Sequence, residues 1–112
     1  MSSEELKLFS LIDNARTDKG CGPLQPNSNL SGSAQSDADQ RAKSNNFSAG
    51  GSSAAAGGNN MNAGDAFNQM MKQSSGTLLN CGLNELGVGR GTYKSCFILF
   101  CSTRVGWVAD FQ

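Results

Sequence analysis

The chain has 112 residues, with nine basic and nine acidic side chains and no histidine, so its formal net charge at pH 7 is zero. The absence of histidine excludes Ser–His and Cys–His nucleophiles within the chain, and the scattered cations disfavour a dedicated nucleic-acid-binding surface. Hydrophobic residues make up only 38% of the chain, which is low for a packed domain and predicts a mostly disordered protein of low complexity.

The first segment, residues 1–19, is predicted to be a short amphipathic helix. Ser2 and Glu5 stand at the spacing of a capping box, and Gly20 ends the pattern, so the helix is expected over Ser3–Arg16. Its apolar face is expected either to bind a partner or to pack internally, because so short a chain offers little core. The residues of this face are Leu8, Phe9, Leu11 and Ile12.

Residues 20–62 are predicted to be a disordered linker. Within them, Ser48–Asn60 consists only of serine, alanine, glycine and asparagine. Such a tract buries too little apolar surface to offset the ~1–2 kcal/mol per residue that backbone ordering costs. We therefore expect no helix or strand longer than about five residues between Gly20 and Asn62, since flexible linkers have this composition.

Residues 63–76 are predicted to hold a second short helix, over Asp65–Lys72, with Asp65 as its N-cap. Its apolar side chains share one face at helical spacing, and they are Phe67, Met70 and Met71. Such a face between flexible segments is typical of a helix that docks into a groove of a partner protein. The alternative is a small internal core.

The last segment, residues 77–112, is predicted to be an apolar tail that contains glycine and cysteine and forms a β-hairpin at most. Cys96–Cys101 has the pattern of a buried strand and Val105–Phe111 that of a weaker one, with residues 102–104 as their connection. Gly87–Gly91 matches neither phosphate-binding glycine motif and is interpreted as a flexible turn. The same tail is also typical of an aggregation-prone window.

Four cysteines are present, which permits two disulfides by number. The N-terminus lacks the apolar stretch of an export signal, so reduced thiols and a cytoplasmic or nuclear location are expected. Cys96 and Cys101 are five positions apart and would point to opposite faces of one strand, which disfavours a local disulfide. Since the cysteines do not form two close pairs, we expect no zinc site, and no cofactor is indicated.

The expected function is that of a non-enzymatic interaction or scaffold protein, which docks its two helices onto a protein partner. No catalytic residues and no small-molecule substrate are predicted, because the carboxylates lie in exposed settings that do not shift their pKa values. No stretch approaches the ~18 apolar residues of a membrane span. Four alternatives remain: a peripheral membrane protein that uses the apolar tail, a subunit that folds only in a complex, a nucleic-acid-associated protein, and a truncated or alternatively spliced product.

Overall fold

Four strands form one mixed sheet at the centre of the computed structural model, which describes every residue from Met1 to Gln112. In chain order the strands are β1 (Gln25–Pro26), β2 (Ser53–Asn59), β3 (Glu85–Phe97) and β4 (Phe100–Phe111). Their order in the sheet is β1-β3-β4-β2, with β1 parallel to β3 and the other neighbours antiparallel. The helices that cover the sheet are α1 (Ser3–Lys19), α2 (Ser28–Ser44) and α3 (Ala63–Leu78).

The prediction of a mostly disordered chain is wrong, and so is the disordered linker predicted for residues 20–62. That stretch contains α2, with 17 residues, and β2, with 7 residues. The physical cause is that residues 20–62 contain few large apolar side chains and build their core mainly from alanine. Small side chains bury little area each, but they let helix and sheet approach closely and pack densely.

α2 packs on one face of the sheet through small residues on both sides of the contact. Its buried side chains recur at every fourth position, and they are Ala34, Ala38 and Ala42. On the sheet side of this contact, β3 carries glycine at alternate positions, where Gly87 faces Leu30, Gly89 faces Ala34 and Gly91 faces Asp39. A Cβ atom on Gly89 would lie 2.2 Å from the backbone carbonyl carbon of Ala34, so a side chain cannot be accommodated there. The glycines therefore belong to a strand, and the flexible turn predicted for Gly87–Gly91 is wrong.

β2 lies inside the serine, alanine, glycine and asparagine tract from which disorder was expected. It pairs with β4 along its whole length, from Ser53 opposite Asp110 to Asn59 opposite Arg104. Its alanines alternate between the two faces of the sheet and are all buried, and they are Ala54, Ala55 and Ala56. The tract is a strand because helices cover both of its faces and leave room only for small side chains.

α1 and α3 lie together on the opposite face of the sheet, where the larger apolar side chains are buried. This core includes Trp107, whose ring is fully buried and whose Nε1 donates to the carbonyl oxygen of Met61 at 3.1 Å. The indole N–H, which is the only polar group of the ring, thus has a hydrogen-bond acceptor, and the rest of the ring packs against apolar neighbours.

The two predicted helices are present, with corrected boundaries. The capping box of Ser2 and Glu5 is confirmed. The first helix continues to Lys19, beyond the predicted end at Arg16, and its C-cap is Gly20, which has a left-handed φ of 98°. The second helix begins earlier than predicted, because the side chain of Asn62, rather than that of Asp65, caps its N-terminus.

Both pairs of cysteines are disulfide-bonded, so the expectation of reduced thiols is wrong. Cys21 and Cys81 join the segment after α1 to the loop after α3, 60 residues apart in sequence. Cys96 and Cys101 are bonded across a hairpin. Residues five positions apart lie on opposite faces only if the strand is continuous. The turn between them makes them direct cross-strand partners on one face instead.

The C-terminal hairpin is real, but its turn lies elsewhere than predicted. β3 and β4 are joined at Ile98 and Leu99, so the buried strand predicted for Cys96–Cys101 is in fact an exposed turn with its flanking residues. The connection predicted at residues 102–104 lies within β4. The strand predicted for Val105–Phe111 is confirmed as the buried part of β4, in the interior of the sheet.

Candidate functional site

The outer half of the β3–β4 hairpin extends beyond the rest of the protein. We call residues Tyr93–Arg104 the ribbon. Between Lys94 and Thr103 its strands pair with no other strand of the sheet. The molecule measures 50 × 25 × 25 Å, and a ribbon of this length accounts for about 15 Å of extension at ~3.3 Å per residue. The ribbon therefore forms a narrow projection at one end of the protein.

The end of the ribbon is an apolar tip, which we define as Phe97–Phe100. Its exposed fractions are 76% for Phe97, 81% for Ile98, 89% for Leu99 and 79% for Phe100. Ile98 has a φ of 57°, in the left-handed region that favours glycine and that β-branched residues rarely adopt. The turn therefore retains a large apolar side chain at a position where glycine would relieve backbone strain.

The tip is apolar on both faces of the ribbon. Side chains alternate along a strand, so Phe97 and its partner Phe100 lie on the face that α2 covers further along the sheet, in line with Gly91. The disulfide of Cys96 and Cys101 lies on the other face, one residue pair behind the tip. Water consequently contacts apolar groups on every side of this projection.

Polar and cationic groups follow directly behind the tip. Arg104 and Tyr93 are cross-strand partners, and the guanidinium carbon of Arg104 lies 5.3 Å from the centre of the Tyr93 ring. Arg104 also donates from Nε to the carbonyl oxygen of Ala42 at 2.7 Å, which ties the ribbon to the end of α2. Lys94 is exposed on the opposite face. The ribbon thus changes from apolar at its end to cationic at its base.

One edge of the ribbon has unpaired backbone groups. Glu85 and Gln112 exchange two hydrogen bonds, so in the regular antiparallel ladder the even-numbered residues of β3 direct their N–H and C=O groups away from β4. At Arg90 those groups are bonded to side chains of Glu5 and Gln35. Beyond Arg90 no hydrogen bond covers the outer edge, whose residues are Thr92, Lys94 and Cys96.

The structure places all the predicted partner-binding residues in or beside one core. Leu8, Ile12 and Met70 are fully buried. Phe9, Leu11, Phe67 and Met71 are partly buried and pack against the same cluster. Binding of a partner through these residues stays a prediction, and in this fold the buried three contact the protein's own sheet and helices.

A groove of about 650 Å³ runs along α1 and the start of α3. Six of its ten lining residues are polar or charged, among them Glu4, Lys7 and Asn14, and its hydrophobic residues are Leu6, Leu11 and Ala63. No group of three or more potential metal ligands lies together anywhere in the protein. None of the helices combines the length and hydropathy that a bilayer crossing requires.

Two charged groups are perturbed by burial, and neither faces the groove. Desolvation lowers the pKa of Arg16, against the effect of nearby Asp13, which raises it. Burial raises the pKa of Asp110 above its ordinary value of 3.8, and the hydrogen bond from Ser53 opposes that rise. The Ser53 hydroxyl lies 2.6 Å from the carboxylate. Both groups contribute to the packing of the sheet and its loops and are not candidate catalytic residues. The exposed tip is therefore the strongest candidate site.

The tip residues are not among the candidate site residues predicted from the sequence, because their apolar run is also typical of a buried strand. A signal was present, since two cysteines enclose four apolar residues. That spacing fits a two-residue turn closed by a cross-strand disulfide. No protein-family model and no curated protein sequence matches this chain.

Proposed function

We propose that the protein is a non-enzymatic, peripheral membrane-binding module that inserts its hairpin tip into the surface of a lipid bilayer. The observation that carries the proposal is the tip itself, where four consecutive apolar residues are each at least 76% exposed at the end of a projection. Exposed apolar surface of this kind marks a binding site rather than ordinary surface.

The shape of the tip favours a fluid apolar medium over a protein groove. A groove-binding segment presents one apolar face, whereas this tip is apolar on both faces and at its end. Full transfer of its four large side chains out of water would contribute roughly 6 to 12 kcal/mol before the costs of association. That is enough for reversible attachment, which a single myristoyl chain already gives.

The backbone of the tip sets the depth of insertion. Ile98 and Leu99 form the turn and lack ladder partners for their N–H and C=O groups, and such groups are costly in the hydrocarbon region. The tip would therefore rest at the boundary of headgroups and acyl chains, where water still reaches the turn. This position matches peripheral attachment.

The two disulfides favour folding in an oxidising compartment over the cytoplasm or nucleus expected from the sequence. A compartment of that kind brings the protein to the outer face of a membrane. The location stays a proposal that rests on the same disulfides.

Vesicle flotation tests the function directly. The full chain should float with phosphatidylcholine vesicles, and Leu99→Asp should abolish flotation, because a charge at the tip must be desolvated. Leu6→Asp is the matched control, since Leu6 is an exposed leucine on α1, and it should float as the unmodified chain does. Ile98→Gly should weaken flotation while preserving or raising the free energy of unfolding, because glycine relieves the positive φ.

Two results would overturn the proposal. One is equal flotation of Leu99→Asp and the unmodified chain, with both shown to be folded by circular dichroism. The other is a dimer in sedimentation that Leu99→Asp dissociates, together with no flotation, which would assign the tip to a second copy of the chain.

A further inference from the structure

We propose that the membrane surface bound by the tip is an anionic one, recognised by a cationic collar behind the tip that consists of Lys43, Lys94 and Arg104. This inference rests on the proposed membrane attachment and adds the class of lipid. The shared chemistry is the negatively charged phosphate of lipid headgroups in a bilayer.

The collar surrounds the base of the ribbon. Lys94 lies on one face and Arg104 on the other, as their positions in the hairpin require. Lys43 is exposed near the end of α2, and its carbonyl oxygen accepts from Nη2 of Arg104 at 3.4 Å. Cations therefore lie on both sides of the ribbon at about the same distance from its end.

The charges of the collar are not neutralised within the protein. The two salt bridges of the structure join Lys7 to Glu4 and Arg41 to Asp37, so neither lysine of the collar has an acidic partner. No acidic residue occurs between Glu85 and Asp110, a stretch that contains three cations. Although the whole chain has no net charge, the end that carries the tip is therefore positive.

Besides Glu5, which accepts from the backbone N–H of Arg90, Asp39 is a carboxylate that contacts β3 close to the ribbon. It lies against Gly91, before the ribbon begins, where a Cβ atom of the glycine would be 2.6 Å from its Oδ1. Gln35 donates to the same oxygen at 3.1 Å. Asp39 therefore lies further from the tip than Lys94, and no salt bridge joins it to Lys43, four residues later on α2.

The spacing between collar and tip fits a bilayer interface. Lys94 and Thr103 form the third residue pair behind Phe97 and Phe100, which corresponds to about 10 Å of strand. Amphipathic surfaces insert their apolar part to ~5–10 Å. With the tip at that depth, the lysine lies among the headgroup phosphates.

A single soluble anion does not fit this arrangement. Lys94 and Arg104 lie on opposite faces of a two-stranded ribbon, so they cannot converge on one phosphate. An extended plane of headgroups around the inserted ribbon contacts both faces at once. The geometry thus selects a membrane surface rather than free phosphate.

The test compares vesicles of phosphatidylcholine alone with vesicles that also contain phosphatidylserine. Binding of the full chain should be stronger to the anionic vesicles, and added salt should remove that advantage. Lys43→Gln combined with Lys94→Gln should weaken binding to anionic vesicles by about fivefold for each lysine. Binding of this double variant to neutral vesicles should not change. Arg104 is left intact because its hydrogen bonds hold α2.

Lys72→Gln, at an exposed lysine of α3, is the control and should bind like the unmodified chain. Equal binding of the unmodified chain to both vesicle types would overturn the collar while leaving membrane attachment in place. Failure to bind either type would overturn the proposed function itself. Loss of anionic binding on addition of inorganic phosphate at constant ionic strength would assign the cations to a soluble ligand instead.

Discussion

Arg16 donates from Nη1 to the carbonyl oxygen of Leu78 at 2.9 Å, although the two residues are 62 positions apart. The same guanidinium donates to the carbonyl oxygens of Asn80 and Leu83, and it lies 5.8 Å from the centre of the Phe111 ring. The buried side chain of Arg16 thus donates hydrogen bonds to three carbonyl groups of the segment between α3 and β3.

Replacement of that cation should be among the more damaging changes in the protein. Arg16→Met leaves three carbonyl oxygens of the turn without their donor, and the free energy of unfolding should fall by about 2–4 kcal/mol in denaturant titrations. Arg16→Lys should be less damaging, because an ammonium can satisfy part of the set. An unfolding midpoint for Arg16→Met equal to that of the unmodified chain would refute this role.

The close contact of α2 with β3 leads to a second prediction, on the effect of glycine substitutions on stability. Gly89→Ala places a methyl group 2.2 Å from the backbone of Ala34, so the helix must shift, at a cost of about 1–3 kcal/mol or more. Gly32→Ala is the matched change within α2, where a Cβ atom meets nothing within 4 Å. It should stabilise the protein by about 0.5–1 kcal/mol, since alanine favours a helix. Similar thermal shifts for the two variants would contradict the packing described.

The two disulfides should differ in their effect on stability. Cys21 and Cys81 close a loop of 60 residues, whereas Cys96 and Cys101 are five residues apart. From loop entropy alone, replacing the first pair by serine should cost roughly 4 kcal/mol and replacing the second pair roughly 2 kcal/mol. Denaturant unfolding of the two double variants measures both values, and the reverse order would show that the ribbon contributes more to the fold than its exposure indicates.

Asp110 should make stability depend on pH. Burial raises the pKa of this carboxyl in the folded protein above its ordinary value of 3.8, so its contribution is fully present below pH 3.8 and is lost as the pH rises through the raised value. Asp110→Asn removes the titrating group but can still accept from Ser53. Relative to the unmodified chain, the variant should therefore gain stability between acidic and neutral pH. A constant difference in unfolding free energy across that range would contradict this account.

The sequence contained the local signals of the fold but not its long-range contacts. Ser2, Glu5 and Gly20 act within one helix, and for that reason α1 could be predicted from spacing alone. α2 could not be predicted in this way. Its buried alanines can be recognised as a packing face only together with the glycines of β3, more than 50 positions later in the chain.

The candidate site was hidden by a similar ambiguity. A run of apolar residues between Cys96 and Cys101 is equally compatible with a buried strand and with an exposed turn. Only the register of β3 against β4 places the turn at Ile98 and Leu99. That register is set by the buried part of the hairpin, so the spacing of the two cysteines is compatible with the exposed turn but does not establish it alone.

The unpaired edge of β3 affects how neighbouring molecules would behave when crowded on one surface. Two ribbons that met edge to edge in antiparallel register about Lys94 would bring their ammonium groups directly opposite each other, and like charges at such a position oppose pairing. A lysine midway along the free edge, between Thr92 and Cys96, thus opposes this pairing of two molecules. Molecules that each expose an apolar tip and an open strand edge can in this way remain monomeric, even at high density on a membrane.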